Sequence, residues 1–481
     1  MRQFLILLSS GLILAACLST TTAPEIAPEF DYEIPQTWAT PPAPEQGSIS
    51  CWWIDFNDSK LSGIIELLLT QNYDLVSAAY RIDAAISQAG IAGAQLAPHL
   101  GTGIDLARRK NFLVFPVPGG GDNALSTTST TLGISLNLNW EIDLWGRLRA
   151  AHRAYLTDVE VSMADLAAIQ LSLAGQTCKA WFSAVEILQQ IDLAEATLDN
   201  FETTHKQVRS RYERGLRPSL DVRLSESNVA TAKSILLQRR EQYQRIIRQI
   251  EILLGSYPSG TLALSEILPR ISAVVPAGIP ADIIRRRPDL VAAERRLAAA
   301  NSRFIEARRS LYPRLSLTAS GGRSSDELSD LLDGNFTVWS AVGNLVQPLL
   351  QGGRLRAGVD LAAIREKQAL ANFAQSVLDA CAEVETALAA ENILSQREQA
   401  LEIAAEQALA ARNLAEDRYA SGLLDFIAVL EAQSRAFEAR SQLTSVRRQR
   451  LDARVDLYLA LGGGFSRKSF MEEGKPQCEK Y

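Results

Sequence analysis

The stretch Leu132-Gly133-Ile134-Ser135-Leu136-Asn137-Leu138-Asn139-Trp140-Glu141-Ile142-Asp143-Leu144-Trp145-Gly146-Arg147-Leu148-Arg149 decides the fold. From Ile134 to Leu144 it alternates strictly: Ile134, Leu136, Leu138, Trp140, Ile142 and Leu144 on one side, Ser135, Asn137, Asn139, Glu141 and Asp143 on the other. A β-strand alternates this way when its two faces meet different surroundings. At Gly146 the period changes, and an Ala-, Leu- and Gln-rich run follows with no proline until Pro218. The reading is an amphipathic strand that passes through one glycine into a very long helix. Unbroken, Arg147 to Arg211 would span about 95 Å, far beyond an ordinary globular helix.

Working outward, the feature occurs twice. Gly146-Arg147-Leu148-Arg149 recurs as Gly353-Arg354-Leu355-Arg356, 207 positions later (353 − 146). Arg211-Tyr212-Glu213-Arg214-Gly215-Leu216 recurs as Arg418-Tyr419-Ala420-Ser421-Gly422-Leu423 at the same offset (418 − 211). The two long helices therefore match without a gap. Upstream, Asp74 to Pro98 matches Asp289 to Pro313 with an offset of 215 (313 − 98), so eight extra residues (215 − 207) lie between Pro98 and Gly146. The Pro- and Gly-rich run Phe115 to Gly121 reads as the longer hairpin loop that holds them. The chain is an internal duplication, each half reading helix, β-hairpin, long helix, turn, long helix.

The N-terminus reads as a secretory signal over residues 1–16. Arg2 is its positive end, Phe4 to Ala16 its apolar core, and Leu14-Ala15-Ala16-Cys17 its cleavage site. That ending resembles the bacterial lipobox, whose cysteine becomes the acylated mature N-terminus. N-acyl and S-diacylglycerol lipid (palmitate among the acyl chains) on Cys17 would tether the chain without carrying it across a membrane. Leu18, rather than an aspartate, follows, which by resemblance to lipoprotein sorting favours the outer membrane. Residues 17–59 are proline-rich and read as an extended segment pinned by Trp52, Trp53 and Phe56. Asp58 caps a short helix over Leu61 to Thr70, and a second helix covers Tyr73 to Ala97. The first repeat spans 60–254, with strands near 99–113 and 131–145, a turn at 214–219 and a return helix to Leu254. A connector, 255–287, leads to the second repeat at 288–461. There strands are expected near 314–322 and 335–347, then helices over 354–418 and 427–461 about a turn at 420–426. The tail 462–481 reads as loosely held.

Composition narrows the function. Aromatics are only 7%, and the hydrophobic residues are mainly Ala and Leu, which suits long close-packed helices. A net charge of −6 argues against a nucleic-acid surface. After the signal no apolar run is long enough to span a membrane as a helix, which leaves a barrel of amphipathic strands as the membrane-crossing option. Four strands cannot close a barrel, since about eight is the smallest number known. Three chains of four would close one, so the alternation implies a trimer if lipid touches the strands. Trp140 and Trp145 near one strand end resemble an aromatic belt and favour lipid. A soluble β-sandwich with helical arms is the competing reading of the same alternation.

No catalytic pattern accompanies this. The three histidines His99, His152 and His205 have no second ligand at metal spacing, and there is no phosphate loop, Cys-x-x-Cys pair or nucleophile elbow. Glu383/Glu385 read as solvated helix-surface charges, and Arg285-Arg286-Arg287 as an exposed helix lead-in. The expectation is no enzyme, no metal and no cofactor beyond the lipid on Cys17. Among the other cysteines, Cys51 and Cys478 lie near opposite chain ends and are open to pairing in an oxidising compartment. Cys178 and Cys381 read as small core residues.

At the connector the residues match a family. The block Gly278-Ile279-Pro280-Ala281-Asp282-Ile283-Ile284-Arg285-Arg286-Arg287-Pro288-Asp289-Leu290 closely resembles a signature of TolC-type outer-membrane efflux factors, in their NodT-like lipoprotein branch. Tyr312-Pro313-Arg314-Leu315-Ser316-Leu317, Gly352-Gly353-Arg354 and both Arg-Tyr-x-x-Gly-Leu turns fit it too, from Trp52 to Leu461 in order. The resemblance implies a mainly α fold with a small β part. Duplicated helical hairpins would form a trimeric periplasmic α-barrel, and four strands per protomer a twelve-stranded transmembrane β-barrel. It implies a passive exit duct of a multidrug-resistance type of tripartite pump, joined through a periplasmic adaptor to an inner-membrane pump of the resistance-nodulation-division class. An exit duct of a type I protein secretion system is the rival on the same architecture. By the same resemblance Arg214, Gly215, Leu216, Ser421, Gly422 and Leu423 would be adaptor-docking turns. Ile427 and Glu431 would form apolar and acidic rings at a periplasmic gate, with Leu220 and Asp221 at the equivalent place in the first repeat and Tyr419 the turn tyrosine of the closed state. Leu424 and Ala428 replace residues charged in some relatives, and Arg217 is basic at the first-repeat counterpart of Leu424, so the closing contacts are expected to differ.

Overall fold

The structure is a computed structural model and describes residues 37–39, 51–116, 122–271 and 283–463. The signal segment, Cys17, Cys478 and the tail beyond residue 463 lie outside the described residues, as does the 272–282 part of the connector. Helices α1 (Ser59–Gln71) and α2 (Tyr73–Ala94) precede strands β1 (His99–Pro116) and β2 (Asp122–Ile142). The long helix α3 (Arg147–Glu213) and its return α4 (Ser219–Leu253) complete the first repeat. A short α5 (Ile283–Arg286) leads to α6 (Pro288–Arg309), strands β3 (Arg314–Ser325) and β4 (Thr337–Val346), and helices α7 (Arg354–Ala420) and α8 (Phe426–Ala460). The duplication is visible in the lengths: α3 and α7 have 67 residues each, α4 and α8 35 each.

The chain divides into two compact units. The first holds Ala89–Thr157 and Arg295–Ala374 and is built on one antiparallel sheet in the order β1-β2-β3-β4. The register sets Leu106 opposite Leu132, Ile104 opposite Ile134 and Leu100 opposite Leu138. It continues with Leu138 opposite Ala319 and Trp140 opposite Leu317 on β3, and with Leu315 opposite Leu345 on β4. Directly opposed residues share a face, so the apolar sets of β1, β2 and β3 lie on one side of the sheet with Trp339 and Leu345 of β4, and Arg323 shares that side opposite Ile134. Leu100, Ile104, Leu106, Ile134, Leu136 and Leu345 are all exposed there. The opposite side carries Ser135, Asn137, Asn139 and Asp105, and on β4 the exposed Val338, Val342 and Val346.

The first hairpin is longer than its sequence suggests. Its eight extra residues do not all go to a loop: β1 and β2 run 18 and 21 residues against 12 and 10 for β3 and β4. The run Ser126 to Thr131 lies before the expected start of the second strand near 131, yet it pairs residue by residue with Ala107 to Phe112. Thr favours extended backbone because its branched Cβ fits the pleat, and an edge partner was available. Trp140 and Trp145 sit at the other end, their indoles donating to Leu96 O (3.0 Å) and Pro313 O (2.8 Å). The strand-to-helix junctions are glycines with positive φ, Gly146 at 79° and Gly353 at 80°. Each carbonyl accepts the first helical bond, from Ala150 and Ala357. Arg309 caps Gly146 O at 2.8 Å.

The second unit comprises Ile34–Gln88, Asp158–Glu294 and Gln375–Tyr481. Its core gathers Trp52, Phe56, Trp181, Phe182 and Tyr458 around the short 3-10 turn Trp52–Phe56. Trp52 stacks on Tyr458 (5.3 Å between centroids), Phe56 meets Phe182 edge-on (4.9 Å), and the Tyr458 hydroxyl donates to Asp55 (2.6 Å). Asp58 caps α1 through Lys60 N and Leu61 N, and also accepts from the Trp181 indole (2.9 Å) and Ser265 (3.0 Å). Cys51 is disulfide-bonded, whereas Cys178 is buried and free and Cys381 is free.

The arginine run is an exposed lead-in for only two of its three residues. Arg285 and Arg286 are exposed, but Arg287 is buried. It donates to Asp289 (2.8 Å), Glu383 (2.6 Å) and Ala460 O (3.2 Å), so it ties α6 to α7 and to the end of α8. Burial by itself disfavours its charge, and the two carboxylates more than restore it. Glu383 is an exposed helix-surface charge, as read, that also pairs with Arg287, and Glu385 accepts from Ala39 N at 2.6 Å.

Candidate functional site at the helical turns

Both long hairpins end in the same turn. Gly215 N–H donates to Tyr212 O (2.8 Å) and Leu216 N–H to Arg211 O (2.9 Å). In the second repeat Gly422 N–H donates to Tyr419 O (3.0 Å) and Leu423 N–H to Arg418 O (2.9 Å). These paired bonds close a helix only when the residue after it has positive φ, which Gly215 (76°) and Gly422 (77°) supply. A Cβ at either position would meet nothing within 4 Å, so the requirement is backbone conformation rather than space. Arg214, Leu216, Ser421 and Leu423 are exposed on the two turns.

The repeats then diverge. Tyr419 is 3% exposed, while its counterpart Tyr212 is 45% exposed. Tyr419 belongs to an apolar cluster with Val208, Ala415, Phe426 and Val429, its ring 5.7 Å from that of Phe426. Arg211 and Arg217 both lie over the Tyr419 ring, at 4.7 and 5.0 Å from its centroid. Arg211 also donates to Tyr419 O and Ala420 O, both at 3.2 Å, which caps the last carbonyls of α7 from the neighbouring tip. The Tyr419 hydroxyl itself is buried without a hydrogen bond. The residue borders a cleft of about 470 Å³ with Asp199, Thr203, Gln207, Glu416 and Asp417.

A polar network sits one turn further along. Gln433 Nε2 donates to Asn200 Oδ1 (2.7 Å), Glu416 Oε1 (2.9 Å) and Thr204 Oγ1 (3.2 Å), and Asn200 Nδ2 donates to the same Glu416 oxygen (3.1 Å). It cross-links α3, α7 and α8. Gln433 was legible only as a polar residue on the apolar spacing Phe426, Val429, Gln433, Ala436, all buried.

The structure separates the candidate gate residues. Leu220 and Ile427, related by the repeat, are both exposed, as is Glu431, whose carboxylate is 65% exposed and 3.8 Å from Arg435. Asp221 departs from its expected place beside them: it is 7% exposed in the first turn of α4. A carboxylate in the first turn of a helix is favoured by the positive end of the helix dipole. The acidic candidate left at the surface is Glu431. Among the described residues no group of His, Cys, Asp or Glu is placed to hold a metal ion.

A four-stranded sheet with one exposed apolar face, joined to duplicated 67-residue helices that turn back on glycines, defines the class of outer-membrane channels. Comparison with known proteins makes this specific. The family model described as outer membrane efflux protein matches residues 64–256 and 279–463, so the chain belongs to that family and is an efflux channel of the outer membrane. It is 32% identical to the pyoverdine export outer membrane protein OpmQ of Pseudomonas putida, over 97% of this chain and 98% of that one. It is 32% identical to the toluene efflux pump outer membrane protein TtgF of another Pseudomonas putida strain, over 86% and 85%. The solved structure of the outer-membrane channel OprN superposes with a TM-score of 0.79 at 26% identity, covering 90% of this chain and 98% of that chain.

Proposed function

We propose that the protein is the passive exit duct of a tripartite efflux pump for small organic molecules. Three copies close a twelve-stranded barrel in the outer membrane, lipid on Cys17 adds an anchor, and the helical hairpins form a periplasmic tunnel. The turns at Arg214 to Leu216 and Ser421 to Leu423 dock an adaptor that joins the duct to an inner-membrane pump of the resistance-nodulation-division class. The observation that carries this reading is the open sheet: four strands, two unpaired edges and one exposed, largely apolar face, which lipid and two further copies would satisfy together. The substrate class is suggested by relatives whose names specify pyoverdine export and toluene efflux. Tyr419, held by Arg211 and Arg217, forms the closed gate together with Ile427 and Glu431.

The test is planar-bilayer conductance of the detergent-purified protein, with its mass measured in the same detergent. A trimer that conducts after Arg211→Ala and Arg217→Ala release the tips is the expected result. A monomer that stays soluble without detergent and never conducts would overturn the duct.

A further inference from the structure

The outward face of the first hairpin does not stay apolar. Along β1 it carries Leu100, Ile104 and Leu106, then Arg108, Lys110 and Phe112, all exposed. Along β2 the opposed residues are Leu138, Ile134 and Leu132, then Thr130 opposite Arg108 and Thr128 opposite Lys110. The face therefore changes from leucine rungs to cation–hydroxyl rungs within one residue pair. A spanning strand needs about nine to eleven residues, so His99 to about Arg108 fills the hydrocarbon and the rest of the 18-residue β1 continues beyond it. That end is the external one, because the strand ends that join helices lie at the other.

A cation on the lipid-facing side is strongly disfavoured at mid-membrane and tolerated at the interface, so Arg108 and Lys110 mark the headgroup level. Two features fix them there. The Lys110 ammonium lies 5.2 Å from the Phe112 ring centroid, a cation–π contact that holds the charge beside an exposed apolar ring. No carboxylate pairs with either cation among the described residues, and the acidic side chain of this stretch, Asp105, falls on the opposite face. Alternate residues of one face are about 7 Å apart, so one guanidinium and one ammonium group present themselves together to one anionic headgroup. Arg109 carries the same charge on the lumen side.

We propose that Arg108 and Lys110, backed by Thr128, Thr130 and Phe112, form a binding site for a phosphorylated glycolipid of the outer leaflet, its phosphates on the cations and its acyl chains along Leu100, Ile104 and Leu106. The site rests on the barrel reading above. The test therefore uses only variants that still run as trimers and conduct like the wild type.

Trimers reconstituted with lipopolysaccharide are washed and the retained lipid is counted by native mass spectrometry, for wild type, Arg108→Gln/Lys110→Gln and Arg109→Gln. Each cation near an anionic surface contributes enough that the double variant should retain about 25-fold less lipid. Arg109→Gln should retain as much as wild type. Lipid A stripped of its phosphates should bind as weakly to wild type as intact lipid does to the double variant. Added inorganic phosphate should leave the lipid in place. Equal retention by the double variant, equal loss in Arg109→Gln, or undiminished binding of the dephosphorylated lipid would overturn the site. Displacement by inorganic phosphate would overturn the lipid as its ligand.

Discussion

Gly215 and Gly422 stand at φ 76° and 77° with open space around each Cβ position. Two roles therefore separate cleanly. Alanine at Gly422 meets only the cost of left-handed backbone, about 1 kcal/mol, and asparagine, which tolerates that region, should recover most of it. Thermal dissociation of the trimer should fall slightly for Gly422→Ala and less for Gly422→Asn. If the exposed turns dock an adaptor, Gly215→Glu and Gly422→Glu should abolish drug efflux in cells while leaving trimers intact; loss of the trimer would reduce the turns to a structural role. These glycines were legible in the sequence, because a helix that turns sharply after Arg-Tyr-x-x needs them whatever surrounds it. Arg287 and Asp221 were not. Their burial depends on Asp289, Glu383 and Ala460 in one case and a helix start in the other, and no local pattern distinguishes a buried arginine from its two exposed neighbours.

At the scale of elements, α3 and α8 meet through a charged cluster. Asp452 on α8 is pushed up to about 6, first by burial, against the pull of Arg448 and Lys179 and with Asp456 and Glu186 adding to the rise. Its ordinary range is near 3.8, so the folded protein holds the proton more tightly than the unfolded chain. That contribution is fully present below about pH 4 and is lost as pH rises through about 6, with an upper bound on the order of 3 kcal/mol. Trimer melting followed from pH 4 to 7 should therefore show wild type losing ground to Asp452→Asn across that window. Parallel profiles would mean that Asp452 titrates normally.

The sheet offers the sharper element-level test, because its two faces carry opposite expectations. Leu136 and Asn137 are adjacent on β2, Leu136 in the apolar set opposite Gly321 and Asn137 on the polar face, where it donates to Ser135 Oγ (3.1 Å). An arginine on the lipid face of a barrel costs about 2–4 kcal/mol near the midplane, and an arginine in the lumen far less. Leu136→Arg should sharply reduce heat-resistant trimer in outer-membrane fractions, and Asn137→Arg should assemble and alter conductance. The reverse ranking would place lipid on the wrong side. The alternation of Ile134 to Leu144 made this legible; the full length of β2 was not, since Ser126 to Thr131 is extended only because β1 lies alongside it.

In the proposed trimer, threefold symmetry would multiply whatever a single protomer exposes at its mouth. Glu431 is exposed on the first turns of α8, and its 3.8 Å contact with an equally exposed Arg435 is too solvated to neutralise it. Three such carboxylates around one pore would draw cations toward it, weakly in high salt and strongly in low salt. Asp221 offers the internal control: it has the same charge on the counterpart helix of the other repeat but is turned into the protein. The cation-to-anion permeability ratio of the opened channel, from reversal potentials in a salt gradient, should fall on Glu431→Gln and stay unchanged on Asp221→Asn. Asp221→Asn should instead lower the stability of the α4 start, by a few tenths to about 1 kcal/mol, because it removes the negative charge from that helix end. If Asp221→Asn shifts selectivity and Glu431→Gln does not, the first repeat supplies the acidic ring, and the tips must rearrange when three copies come together.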